Sequence, residues 1–207
     1  MKDGLSFTVR RGFPPEARPE AARLFWQAFA NKLGRIMRPE DRALRFLERV
    51  MDPEHAISAV AADGALLGMA GFKTAEGALI GGTLADLSVA YGWIGAAWRA
   101  VFLELLEREH ESDRLVMDGL FVREEARGLG VGSALLEAIG DEAARRGLSE
   151  VRLDVIEANP RARALYERRG FRATITTQTG ILRHLFGFRC VTTMVRPIAG
   201  AHHADRM

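Results

Sequence analysis

Hydrophobic positions change their period along this chain, and each change marks an element. "FTVR" alternates apolar with polar residues, which predicts a short strand from Phe7 to Arg10. After a proline-rich turn, "PEAARLFWQAFANKLG" repeats Leu24, Phe25, Ala28 and Phe29 at helical spacing, with Gly34 as its stop. "RPEDRALRFLERVM" predicts a second amphipathic helix with Leu44, Leu47, Val50 and Met51 turned inward. Two strands follow, Ala56 to Ala61 and Ala65 to Lys73, joined at Asp63-Gly64, a dipeptide that suits a hairpin turn.

Residues 75–111 break this regularity. The stretch is almost free of charge until Arg99, and large apolar groups recur at helical spacing from Trp93 to Glu109. Asp86, Arg99 and Glu104 interrupt it, and the uncharged core from Leu87 to Trp98 falls short of the ~20 residues a spanning helix needs. The expectation is an apolar helical insert packed over the domain, without stable membrane insertion. A homodimer surface or a membrane-touching face is the alternative use of the same residues.

From Leu115 the pattern is clear again. "LVMDGLFV" predicts a strand with Gly119 inside it, and an isolated strand glycine marks a bulge or a close approach by another group. A helix is expected from Gly130 to Arg146, with Val131, Leu135, Ala138 and Ile139 on one face and Gly147 at its end. "EVRLDVI" alternates as a strand, and "NPRARALYERRGF" offers Asn159 as N-cap, Pro160 at the first helical position and Gly170 as terminator. Phe171 to Thr177 and Phe188 to Val195 read as closing strands around a loop containing His184, before a frayed tail over 199–207. Strand, helix, strand, helix through the centre implies parallel neighbours within a mixed sheet. The expectation is one α+β domain over residues 1–198.

Composition narrows the class of protein. A length of 207 residues with 48% hydrophobic content supports one packed core. Twenty-nine basic and twenty-seven acidic residues are interleaved, which argues against a nucleic-acid binder, since such a protein gathers its cations into a stripe. Cys190 is the only cysteine, so no intrachain disulfide forms and a reducing cytoplasm fits. In its strand it reads as a small buried hydrophobe.

The candidate chemistry lies in "RGLGVGS", Arg127 to Ser133. Amides at a helix N-terminus have no intrahelical partner and stand at the positive end of the macrodipole, so they bind anions. Gly128, Gly130 and Gly132 would let a phosphate approach without meeting a Cβ, Ser133 can add a hydroxyl and Arg127 a full charge. The stretch therefore asks for a ligand carrying phosphates. A P-loop is excluded because no Gly-Lys-Ser/Thr ending is present. The G-x-G-x-x-G dinucleotide pattern fails at Ser133 or at Leu135, although Asp154 stands at about the right distance for its acidic residue.

Together with "N…ALYERRGF", this loop resembles the acetyl-CoA-binding core of the GNAT superfamily of N-acetyltransferases. The family's R/Q-x-x-G-x-G/A pattern falls on Arg127, Gly130 and Gly132, and its second motif on Asn159, Leu165, Tyr166, Gly170 and Phe171. The resemblance implies the family's mixed sheet with a splayed parallel strand pair. It also implies acetyl-CoA as donor, with its pyrophosphate on the amides of Gly128, Leu129, Gly130, Val131, Gly132 and Ser133. The pantetheine arm would pair with the backbone of Leu120, Phe121 and Val122, with Asn159 beside it and Tyr166 near the thioester sulfur.

The acceptor implied is a primary amine of a small molecule or peptide. A free alkylamine has a pKa near ~10, so a base must take its proton and an acid should meet the departing thiolate. Tyr166 is the acid candidate. Asp154, Asp118 or a water molecule is the base, and either carboxylate could instead serve an arginine structurally. Arg161 and Arg163 could reach phosphates or simply form a wet helix face. His184 reads as a solvated loop histidine, and His202 and His203 belong to the tail. Two other readings stay open: a non-catalytic acyl-CoA-binding module on the same fold, and a nucleotide-binding regulatory domain.

Overall fold

The computed structural model describes residues 6–104, 113–178 and 188–198, with the side chains of 31–35 and 97–104 left aside. Its elements run β1 (Phe7–Arg11), α1 (Arg18–Met37), α2 (Glu40–Val50), β2 (Ala56–Ala61), β3 (Leu66–Thr74), β4 (Gly77–Ala78) and α3 (Leu84–Glu104). They continue with β5 (Arg114–Val122), α4 (Val131–Arg145), β6 (Glu150–Ile156), α5 (Pro160–Arg168), β7 (Arg172–Gln178) and β8 (Cys190–Pro197). The sheet order is β1-β2-β3-β5-β6-β8-β7, with β4 paired to β3. Every pair is antiparallel except β5 with β6, the mixed α+β arrangement expected.

Strand alternation sorts side chains into two cores. On β3, Leu66 and Met69 join α1, α2 and α3 in one cluster, while Leu67, Ala70 and Phe72 join α4 in the other. Val131, Leu135, Leu136, Ile139 and Ala143 of α4 enter the second cluster, with Tyr166 of α5 and Phe171 just beyond it. Burying one such leucine contributes roughly 1.5–3 kcal/mol, so each layer has its own source of cohesion.

Several expectations are corrected. Gly34 does not stop α1, which runs on to Met37 because Ile36 and Met37 are buried at 2% and 3% exposure. That burial outweighs the roughly 1 kcal/mol cost of a mid-helix glycine. The inward face of α2 is Ala43, Phe46, Leu47 and Val50, with Leu44 half-buried at its margin and Met51 just past the helix end. Cys190 is half-exposed, and its thiol is pushed up first by a hydrogen bond with Glu157 and then by desolvation. The described part of the 75–111 segment forms β4 and then α3, which starts at Leu84 and is broken at Gly92 (φ 70°, ψ 165°). Leu87, Tyr91 and Ala96 of α3 pack on α1 and α2, and Tyr91 Oη donates to the Met37 carbonyl (2.5 Å). Trp93 and Ile94 stay exposed. Among the described residues no helix is long and apolar enough to cross a membrane. The end of the expected helix at Glu109, the loop with His184 and the 199–207 tail with His202 and His203 lie outside the described residues.

One buried carboxylate ties β1 to α4. The Glu142 side chain is 2% exposed and receives Arg11 Nε (2.9 Å), Arg145 Nη2 (2.6 Å) and Arg146 Nε (2.7 Å). Burial alone would raise its carboxyl, but hydrogen bonds from Arg145 and Arg146 and the charge of Arg11 outweigh it and hold it below its ordinary value. Because the folded-state value is depressed, the stabilisation is complete above the unfolded value of 4.5 and is lost as pH falls through the folded value. Glu142→Gln is expected to cost about 2 kcal/mol, less than a fully enclosed pair because Arg11 and Arg145 remain half in solvent. Urea titrations at neutral pH and below pH 4 check this: the deficit should be large in the first and shrink in the second.

Candidate functional site

The parallel pair parts midway along its length. Residues 114–117 of β5 pair with 150–153 of β6, yet β5 continues to Val122 and β6 to Ile156 without further pairing between them. Each departing strand is held on its outer side, β5 by residues 68–71 of β3 and β6 by residues 191–193 of β8. The β3–β5 register steps from Gly71↔Gly119 to Phe72↔Met117, so Asp118 is an extra residue, a bulge that turns β5 away. Gly119 answers to a close approach from α1: a Cβ there would stand 2.6 Å from Cζ of Phe29. Phe29 packs with Phe25 and Phe121, at ring-centroid separations of 4.6 and 6.3 Å.

At the far end of β5 the glycine loop faces the same opening. Gly128 and Gly130 have φ of 79° and 86°, and a Cβ on either would project into open space. Gly130 caps α4, whose first helical bond runs from Ala134 N to Gly130 O (3.0 Å). The amides from Gly128 to Ser133 therefore have no backbone acceptor among the described residues. Gly132 lines the cleft and also has a packing task that its sequence does not announce. A Cβ there would lie 3.3 Å from Leu165 Cδ2, so the glycine lets α4 and α5 meet closely. Val131 is fully buried and Leu129 half-buried, and neither lines the cleft. Arg127 Nε donates to the Val122 carbonyl (3.3 Å), which ties the loop to the end of β5.

α5 forms the opposite wall. Asn159 Oδ1 accepts from Ala162 N (3.2 Å) as helix cap, which leaves its side-chain amide for the cleft. Tyr166 is 6% exposed, lies 5.9 Å from the Phe171 ring and lines the cleft. Burial pushes its phenol up to about 12. Arg163 is turned to Glu167 (2.9 Å), away from the cleft, whereas Arg161 lines it.

Asp118 and Asp154 both border the opening, a cleft of about 2200 Å³ that also takes in Leu120, Phe121, Val122 and Ser133. Their surroundings differ. Asp118 stands 3.5 Å from Lys73 Nζ, while Asp154 Oδ1 accepts from Thr193 Oγ1 at 2.6 Å. Sequence reading missed Lys73 and Thr193, which arrive from strands far away in sequence. It also missed the ion pair of Glu20 with Arg123, which joins α1 to the end of β5 at the cleft rim. Among the described residues no cluster of His, Cys, Asp or Glu could hold a metal ion.

A family model described as the acetyltransferase (GNAT) family matches residues 19–171. Among curated proteins none matches the sequence. Solved structures resemble the chain over almost its whole length. A GCN5-related N-acetyltransferase from Kribbella flavida is 21% identical with a TM-score of 0.60, covering 92% of this chain and 97% of that one. An N-acetyltransferase from Staphylococcus aureus Mu50 is 14% identical with a TM-score of 0.63, covering 91% and 99%. Ard1 from Thermoplasma volcanium is 18% identical with a TM-score of 0.59, covering 94% and 99%. At such identities the likeness is one of fold.

The chain has two tyrosines, so the phenol in the cleft can be titrated by ultraviolet absorbance against a Tyr166→Phe variant. The phenolate signal assigned to Tyr166 should rise only around pH 12. The raised folded-state value means that its contribution to stability is intact below the unfolded value of 10.0 and is lost as pH climbs through 12. A Tyr166 signal complete by pH 10 would contradict the buried placement.

Proposed function

Because the chain belongs to the GNAT acetyltransferase family, we propose that it moves an acetyl group from acetyl-CoA to a primary amine by direct attack within a ternary complex. The observation that carries this reading is the splayed β5–β6 slot opening onto the glycine loop and the start of α4, where the amides of Gly128, Gly130, Gly132 and Ser133 have no backbone acceptor among the described residues. A pyrophosphate on the amides of Gly128 to Ser133 meets the positive end of α4, with Arg127 adding charge. From there the pantetheine arm reaches the stretch of β5 at Leu120, Phe121 and Val122 that β6 does not pair, as an added strand would, with the Asn159 amide as a further donor. The thioester then lies beside Tyr166.

In the reaction the acceptor nitrogen attacks the thioester carbonyl carbon, its proton passes to a base, and the carbon–sulfur bond breaks as the amide forms. Asp154 is the base assigned here, acting through a water that bridges to the amine, because the Lys73 ammonium 3.5 Å from Asp118 stabilises that carboxylate and makes it a weaker proton acceptor. Leu153 and Val155 belong to the α4-side core, so Asp154 points to the opposite face, from which a small-molecule or peptide amine would enter. Tyr166 keeps its proton throughout the neutral range and so stands as a donor. A thiolate, whose acid has a pKa of about 8.5, is a weaker base than this phenolate. The phenol therefore first stabilises the developing sulfur charge by hydrogen bonding, and solvent completes the protonation.

Acetyl-CoA turnover against a panel of amines and peptides tests the reading. Tyr166→Phe should lower kcat about a hundredfold while acetyl-CoA affinity changes by less than about twofold. Asp154→Asn should lower kcat more than Asp118→Asn. Gly130→Ala should weaken donor binding, since it costs roughly 1–2 kcal/mol at this backbone angle and projects a methyl group into the phosphate path. Tight binding of CoA without transfer to any acceptor would favour a non-catalytic acyl-CoA module.

A further inference from the structure

α5 and its C-cap carry four arginines, at 161, 163, 168 and 169, and the structure divides them into two kinds. Arg163 is bound to Glu167 (2.9 Å), and Arg169 reaches Glu137 (3.4 Å). Arg161 and Arg168 make no ion pair with a described residue, and both line the cleft. They are seven residues apart, two turns of helix, and so share one face about 10 Å along the axis. Leu165 lies between them on that face and abuts Gly132 at the start of α4. The face bearing the two uncommitted guanidinium groups is thus the one turned to the glycine loop. The acidic side chains of this end, Glu124 and Glu125, precede the loop on the other side, and Glu167 is occupied by Arg163.

Coenzyme A carries, besides its pyrophosphate, a phosphomonoester on the ribose 3′ oxygen, with a charge near −2 at neutral pH. Resting on the acetyl-CoA reading above, we infer that Arg161 and Arg168 form a second anion seat, separate from the glycine loop, that holds this 3′-phosphate. Guanidinium groups grip such a dianion through paired N–H donors, and side chains of this length, two turns apart on one face, can lean towards each other and converge on it. The seat would make the enzyme select 3′-phosphorylated donors over the dephospho form, a discrimination that the loop amides, which see only the pyrophosphate, do not provide.

Calorimetric titration of CoA and 3′-dephospho-CoA at one fixed salt concentration tests this on the full chain. The wild type should bind CoA about tenfold or more tightly than 3′-dephospho-CoA. In Arg161→Ala/Arg168→Ala that ratio should fall towards one, through loss of CoA affinity with 3′-dephospho-CoA affinity kept. Arg163→Ala, which removes the same charge from the same helix, should leave the ratio as in the wild type. Thermal melting of each variant confirms that α5 remains folded, and Arg161→Lys/Arg168→Lys should retain part of the preference. A wild-type ratio near one, a preference that survives the double substitution, or an equal loss in Arg163→Ala would overturn the seat while leaving the acetyl-CoA reading intact. Binding of neither ligand to the wild type would overturn both.

Discussion

The constraint on which the structure turns is main-chain hydrogen bonding that the sheet leaves unmade. A buried peptide group without a partner costs as much as a lost hydrogen bond, so a gap between central strands survives only where another group or solvent fills it. β5 and β6 open such a gap after Met117 and Leu153, and the outer pairings to β3 and β8 keep both strands from collapsing into it. The extra residue at Asp118 and the approach of Phe29 to Gly119 set the direction of the departure. Everything proposed for the cleft follows from that opening.

Electrostatics divides the arginine-rich surface by commitment. Glu142 gathers Arg11, Arg145 and Arg146 into a structural clamp, and Glu137 engages Arg169 and Arg196. Arg123 is held by Glu20 at the rim. These residues fasten elements to one another and have little charge left to offer. The cleft wall on α5 differs because two of its cations have no ion-pair partner among the described residues.

Local signals in the sequence were the legible ones. Asp63-Gly64, the Asn159-Pro160 cap and the glycine loop each write their conformation in adjacent residues, and the structure has the turn, the helix start and the loop where those residues stand. Gly34 misled because a helix stop competes with burial of residues further on, and Ile36 and Met37 decide that contest through contacts with other helices. The Gly92 break escaped notice because an uncharged run hides its own phase. Partners across the sheet were invisible for a related reason: Lys73 reaches Asp118 and Thr193 reaches Asp154 only once strand register is set. Gly132 reads in the sequence like Gly128 and Gly130 beside it, and only the packing of α5 reveals its duty at the α4–α5 contact.

The separation of the two hydrophobic clusters by the sheet has a corollary. Substitutions that reshape α1, α2 or α3 disturb one cluster and leave the packing beneath α4 and α5 largely untouched. The sheet strands thus act as a partition, and repacking on one side of it need not be felt on the other.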